Sequence, residues 1–194
     1  MKIYDITQEI FNCRVYPGDP SPKKEVLSSI ESGDICNLSA FSMCSHNGTH
    51  IDSPYHFINK GKTIDKIPLD KLIGVCCVVE FSGVLGAEDA RYILAKAGNN
   101  ASKRILLKGN AVVSIEAAKV FAEAGIFLIG NESQTVGPEE APLSVHLELL
   151  SAEVVLLEGI RLEKVPQGEY FLFAAPILLG GGDGAPVRAV LIET

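Results

Sequence analysis

The 194-residue chain has no tryptophan, only two methionines and only four histidines. It therefore has no indole with which to wall a pocket. It has no excess of positive charge either. The formal net charge of -7 argues against a nucleic-acid-binding surface. No apolar run reaches the length needed to span a membrane, so no membrane partner is expected. The segment Met1-Lys2-Ile3-Tyr4-Asp5 lacks the apolar region of a secretion signal. Five cysteines, an odd number with no Cys-x-x-Cys, suggest reduced thiols. Together these absences lead to the expectation of a cytoplasmic protein. Internal repeats, low-complexity segments and linkers are also missing. Hydrophobic residues make up 47% and charged residues 21%, ordinary values for a globular chain, so one domain over residues 1–194 is expected.

The scarce histidines are not scattered. Three of the four lie within Ser45-His46-Asn47-Gly48-Thr49-His50-Ile51-Asp52-Ser53-Pro54-Tyr55-His56-Phe57. Imidazole with carboxylate is a good ligand set for a first-row divalent metal. A straight strand would hold His46 and His50 about 13 Å apart. One ion needs its ligand atoms about 2 Å away, so the chain must bend between them. Asn47-Gly48 supplies the bend, because both residues tolerate positive φ. Gly48, Thr49, Ile51 and Pro54 argue against a helix here. His50 and Asp52 are two apart and share a face of an extended segment. Pro54 then turns the chain and gives His56 a separate direction. On this reading His46, His50 and Asp52 are metal ligands, and His56 is either a further ligand or a nearby acid/base. Cys44 could add a thiolate, although buried packing suits it better. Cys76 and Cys77 sit in an apolar run and read as core.

The pattern His-x-Gly-Thr-His-x-Asp-x-Pro-x-His-Phe resembles the signature of the cyclase-type metal-dependent hydrolases. That family includes bacterial kynurenine formamidase and isatin hydrolase. The resemblance runs from about Tyr4 to the C-terminus. Tyr16, in Val15-Tyr16-Pro17-Gly18-Asp19-Pro20, stands where the formamidases resemble Trp-Pro-Gly-Asp, so the resemblance implies a substrate-binding role for Tyr16 with an altered pocket wall. Gly130 to Pro138 contains a stretch similar to the formamidase loop Asp-Thr-Pro-Ser-Val-Asp-Pro, matched in kind by Glu132, Ser133, Thr135, Val136 and Pro138, with departures at Gln134 and Gly137. His146 and Glu158, twelve apart, resemble the family's second ligand pair.

Elsewhere the patterning predicts strands over 2–7, 24–30, 37–44, 74–81, 104–107, 126–129, 154–157, 170–178 and 187–193. Helices are predicted over 87–97, ended by Gly98, and over 114–124, capped by Ser114 and stopped by Gly125. A helical turn at 68–72 and a short helix around His146 complete the set. Gly180 to Pro186 is glycine-rich but is followed by no Lys-Ser/Thr, so it reads as a structural loop and not as a phosphate cradle. Strands outnumber helices without strict alternation, which indicates a mixed α/β or α+β chain around one sheet. The resemblance implies a swivelling β/β/α fold with a barrel-like mixed sheet flanked by helices.

It further implies an amidohydrolase holding one or two zinc ions, with manganese as the alternative, through His46, His50, Asp52, His146 and Glu158. Asp52 would be shared between the ions. Water activated by the metal would attack an amide carbonyl of a small substrate, with N-formylkynurenine as the first candidate and tryptophan catabolism as the setting. His56 would move a proton to the leaving amine. A cyclic-amide hydrolase of the isatin type and a non-catalytic metal-binding protein are the alternatives. A homodimer or larger homo-oligomer is expected on the same basis.

Overall fold

The computed structural model describes residues 1–193, with the side chain of Asn100 excepted. In chain order the first elements are β1 (Ile3–Asp5), β2 (Lys23–Ser28), β3 (Leu38–Ser42) and β4 (His50–Asp52). Then come α1 (Leu69–Leu72), β5 (Ile73–Glu80), β6 (Gly83–Leu85), α2 (Ala87–Ala101), β7 (Arg104–Lys108) and β8 (Ala111–Val113). The rest are α3 (Ile115–Glu123), β9 (Leu128–Asn131), α4 (Leu143–Ser151), β10 (Val155–Glu158), β11 (Gly168–Phe173), β12 (Gly184–Pro186) and β13 (Val190–Ile192).

Nine strands form one mixed sheet in the order β1-β13-β11-β5-β7-β9-β10-β4-β12. Its centre, from β5 to β10, is parallel, and both flanks are antiparallel. The sheet must curl. β12 is an edge and β13 lies next to the opposite edge, yet only residues 187–189 separate them in the chain. Four residue steps, from Pro186 to Val190, reach at most about 14 Å. Backbone bonds span the gap: the Ile6 amide donates to the Ala189 carbonyl, and the Arg161 amide donates to the Ile6 carbonyl.

The curl creates two apolar layers, and strand alternation assigns side chains to them. Cys77, Val79, Ile105, Leu107, Ile129 and Leu156 pack on the outer face against Ile93 of α2, Phe121 of α3 and Leu149 of α4. Cys76, Val78, Leu106, Val155, Leu157 and Ile51 fill the inner face with Leu191 and Tyr170.

Local signals explain the helix ends. The Ser114 side chain accepts from the Ala117 amide and starts α3. Gly98 takes φ 69 and breaks α2 where the sequence placed its end, but helical turns resume to Ala101. Two expectations change. The strand predicted over 170–178 ends at Phe173, because Pro176 lacks the amide a ladder needs and makes only an isolated bridge to Val187. The glycine-rich segment 180–186 is not all loop: Gly184–Pro186 adds to the sheet edge beside β4.

Candidate metal centre

The site is built on β4 and its surroundings. The Asn47 side-chain oxygen accepts from the Cys44 amide at 2.8 Å and closes a tight turn. Gly48 alone takes positive φ there, at 66°; Asn47 contributes its side chain and not a left-handed backbone. The chain then extends into β4. Ile51 points into the inner core, so His50 and Asp52 point to the helix-covered face. A 3-10 turn over Pro54–His56 carries His56 back toward the same place.

Cross-strand pairing supplies the remaining groups. In the antiparallel β4–β10 ladder, His50 is opposite Glu158 and Asp52 is opposite Leu156. On the other side of β4, Gly184 is opposite Asp52. A Cβ on Gly184 would lie 2.6 Å from His46 Cε1 and 2.7 Å from the Ile51 carbonyl oxygen, so a side chain here would push His46 away. His146 lies on the buried face of α4.

These elements bring six predicted residues together. Asp52 Oδ1 is 2.8 Å from His46 Nδ1 and 3.3 Å from His50 Nε2. Asp52 Oδ2 is 3.6 Å from His146 Nε2 and 4.0 Å from His56 Nε2. Glu158 Oε1 is 3.2 Å from His146 Nε2, and Oε2 is 3.4 Å from His50 Nε2. The Val136 amide also donates to Glu158 Oε1, at 2.7 Å. His46 and His56 stack with ring centroids 3.9 Å apart, and Phe57 lies 4.7 Å from the His146 ring. His50, Asp52, His146 and Glu158 are buried, while the His56 side chain keeps 28% of its exposure.

The donor chemistry suits a divalent cation. Ligand atoms about 2.1 Å from an ion in a tetrahedron lie about 3.4 Å from one another. The His50 and His146 Nε2 atoms each lie 3.2–3.6 Å from one oxygen of Asp52 and from one oxygen of Glu158, each histidine facing a different oxygen of the two carboxylates. His50 Nδ1 is 3.0 Å from the Gly48 carbonyl and His146 Nδ1 is 2.9 Å from that of Pro142. A proton on each Nδ1 leaves both Nε2 lone pairs facing the carboxylates, the usual arrangement of a metal-binding histidine and its backbone support. Two triads, His46/His50/Asp52 and Asp52/His146/Glu158, share Asp52.

Without a cation, protons bind the cluster together. Burial opposes a charged His46, but Asp183 and Asp52 outweigh it and hold its pKa at about 11. Burial also opposes charge on His50, and Asp52 with Glu158 lift it to about 9. His146 moves up as well, against burial, because of Glu158. Burial would raise Asp52, but His46 and His50 hold it well below the usual carboxylate range. His56 goes the other way, pushed down by burial and by the neighbouring His46 and His146.

Sequence reasoning missed Asp183. It sits between Gly182 and Gly184, with Oδ2 3.2 Å from His46 Nε2 and 3.8 Å from His56 Nδ1. Ser45 Oγ donates to its other oxygen at 3.0 Å. The only sequence signal for it is a single acid inside a glycine run whose pattern suggests a structural loop. Tyr16 takes a different position: its hydroxyl donates to the Glu139 carbonyl at 2.6 Å and to none of the clustered groups. Cys44 is turned toward Asp19, with Sγ 3.8 Å from its carboxylate.

The family model described as putative cyclase matches residues 4–138. The kynurenine formamidase of Salinibacter ruber is 33% identical, with 98% of this chain and 97% of that protein covered. The solved structure of a potential metal-dependent hydrolase with cyclase activity superposes with a TM-score of 0.83 at 30% identity, covering 98% of this chain and 96% of that one. Isatin hydrolase A from Labrenzia aggregata gives 0.83 at 20% identity, covering 100% and 94%, a likeness of fold.

Proposed function

We infer the activity from one premise: the chain belongs to the putative cyclase family. It is a metal-dependent hydrolase, acting as one domain on the amide bond of a small arylformamide of the N-formylkynurenine type. The observation that carries this reading is the convergence of His50 and His146 on the two oxygens of Asp52, with Glu158 closing the ring and His56 at the exposed side. The formamidase relatives support the substrate class.

His46, His50 and Asp52 would hold one ion, and Asp52, His146 and Glu158 a second. Zinc is proposed, with manganese as the competing outcome of the test. A bound divalent cation supplies Lewis acidity and makes water a stronger acid. The chain does the rest. His56, uncharged and partly open to solvent, takes a proton from the attacking water and returns it to the leaving amine. Asp183 faces His56 Nδ1 and steadies the ring and its charge. Phe57 offers an apolar wall beside His56 and His146 for an aromatic substrate. Tyr16 is proposed to contact the substrate from outside the cluster, with its hydroxyl held by the Glu139 carbonyl.

The five free thiols support a reducing, cytoplasmic setting. No helix among the described residues is long and apolar enough to cross a membrane. The two-stranded arm β2–β3 exposes Val26, Leu27, Leu38 and Phe41, and this supports a homodimer, which light scattering tests.

Purified protein should release formate from N-formylkynurenine, and a chelator should abolish release until zinc is restored. Turnover that survives complete metal removal would sink the mechanism. Reconstitution by manganese alone would replace zinc. Ring opening of isatin without formamide cleavage would reassign the substrate.

A further inference from the structure

Behind the donors lies a pair of buried amides. Gln134 Nε2 is 3.0 Å from the Gly48 carbonyl and 3.5 Å from the His46 carbonyl. Its Oε1 accepts from Gln8 Nε2 at 2.8 Å. Gln8 Nε2 also donates to the Gly159 carbonyl at 2.8 Å, and Gln8 Oε1 accepts from the Arg14 amide at 2.8 Å. Gln8 and Gln134 are both buried, and their amide groups are fully partnered.

The carbonyls they hold are not arbitrary. Gly48 is the acceptor for His50 Nδ1, His46 is itself a proposed ligand, and Gly159 directly follows Glu158. The amide pair therefore connects the turn that aims His46 and His50 to the end of β10 that aims Glu158. Gln134 is also one of the two positions where this chain departs from the formamidase-like loop pattern. A bulky apolar residue here would fill the space but leave the Gly48 and His46 carbonyls without this donor.

We propose that Gln134, braced by Gln8, is a positioning residue for the metal centre: it fixes the Gly48 carbonyl that holds the His50 ring with Nε2 facing the cation. The proposal rests on the reading of this cluster as a metal site. A carbonyl already anchored by a buried amide is oriented to accept from His50, so the ring loses less freedom when it binds an ion. Supporting groups of this kind change metal affinity by about 10–100-fold when removed.

The test uses two substitutions of similar length. Gln134→Met removes both hydrogen-bonding functions, while Gln134→Glu can still accept from Gln8 but cannot donate to Gly48. Zinc affinity is measured by competition with a chromophoric chelator. The visible spectrum of the cobalt-loaded protein reports the ligand geometry, and the melting temperature of the metal-free protein reports folding. Both variants should bind zinc about 10–100-fold more weakly than the native chain and show an altered cobalt spectrum. Should they fail to fold, Gln8→Met carries the same measurement. Variants that melt lower but keep zinc affinity within about twofold and an unchanged cobalt spectrum would reduce Gln134 to packing and overturn the proposal. A native chain that takes up neither zinc nor cobalt would overturn the metal-site reading, and this proposal with it.

Discussion

His50 and Glu158 face each other across the β4–β10 pair, with His50 Nε2 3.4 Å from Glu158 Oε2, although 108 positions separate them in the numbering. The sheet register alone brings them together. A change at either residue acts on the other and on Asp52, which lies 3.3 Å from the same His50 nitrogen.

His56 and His50 should separate proton transfer from metal binding. His56→Ala should leave metal content nearly intact and lower turnover by roughly 10²–10⁴-fold. His50→Ala should lose metal along with activity. Elemental analysis and formate release on the same two preparations check this. A fully active His56→Ala protein would remove the acid/base assignment.

Asp183 touches His46 and faces His56, so Asp183→Asn keeps the size while removing the charge. Metal content should stay close to native. Turnover should fall by about 10–100-fold, with a displaced pH–rate profile. A native profile would leave Asp183 as a surface acid held by Ser45.

The metal-stripped protein should lose stability toward high pH. Burial opposes the charge on His46 and His50, yet the facing carboxylates raise them to about 11 and about 9 in the folded chain. A pKa raised on folding stabilises the fold below the ordinary imidazole value of 6.5, and that contribution is lost as pH rises through 9 and then 11. The melting temperature in chelator should therefore fall from about pH 6.5 to about pH 11, most steeply below pH 9 where both histidines contribute. Zinc-loaded protein needs neutral imidazole and should lose metal toward acid pH instead. Melting curves across pH with and without chelator compare the two, and a chelator curve flat through that range would contradict the pairing.

Gly184→Ala should damage the site without replacing any donor residue. The added Cβ would lie 2.6 Å from His46 Cε1. A cost of about 1–3 kcal/mol in denaturant unfolding of the metal-free protein is expected, as for other overpacked sites. Zinc occupancy should drop as well. Unchanged occupancy would mean that His46 can move aside and still reach the ion.

Several features of this protein are written into neighbouring residues. His50 and Asp52 share a face because strand side chains alternate, Gly48 bends the chain because it accepts φ 66, and Pro54 starts the turn that redirects His56. Ser114 begins α3 and Gly98 interrupts α2 for equally local reasons. His146 and Glu158 were legible only through resemblance, since each reads locally as an apolar-element residue. Only the tertiary structure places Asp183 against His46, 137 residues away, points Tyr16 to Glu139, and joins Gln8 to Gln134. The physical reason is sheet register. Strand periodicity says which face a side chain takes, but which strand lies alongside, and at what offset, is set by packing the curled sheet around its two apolar layers.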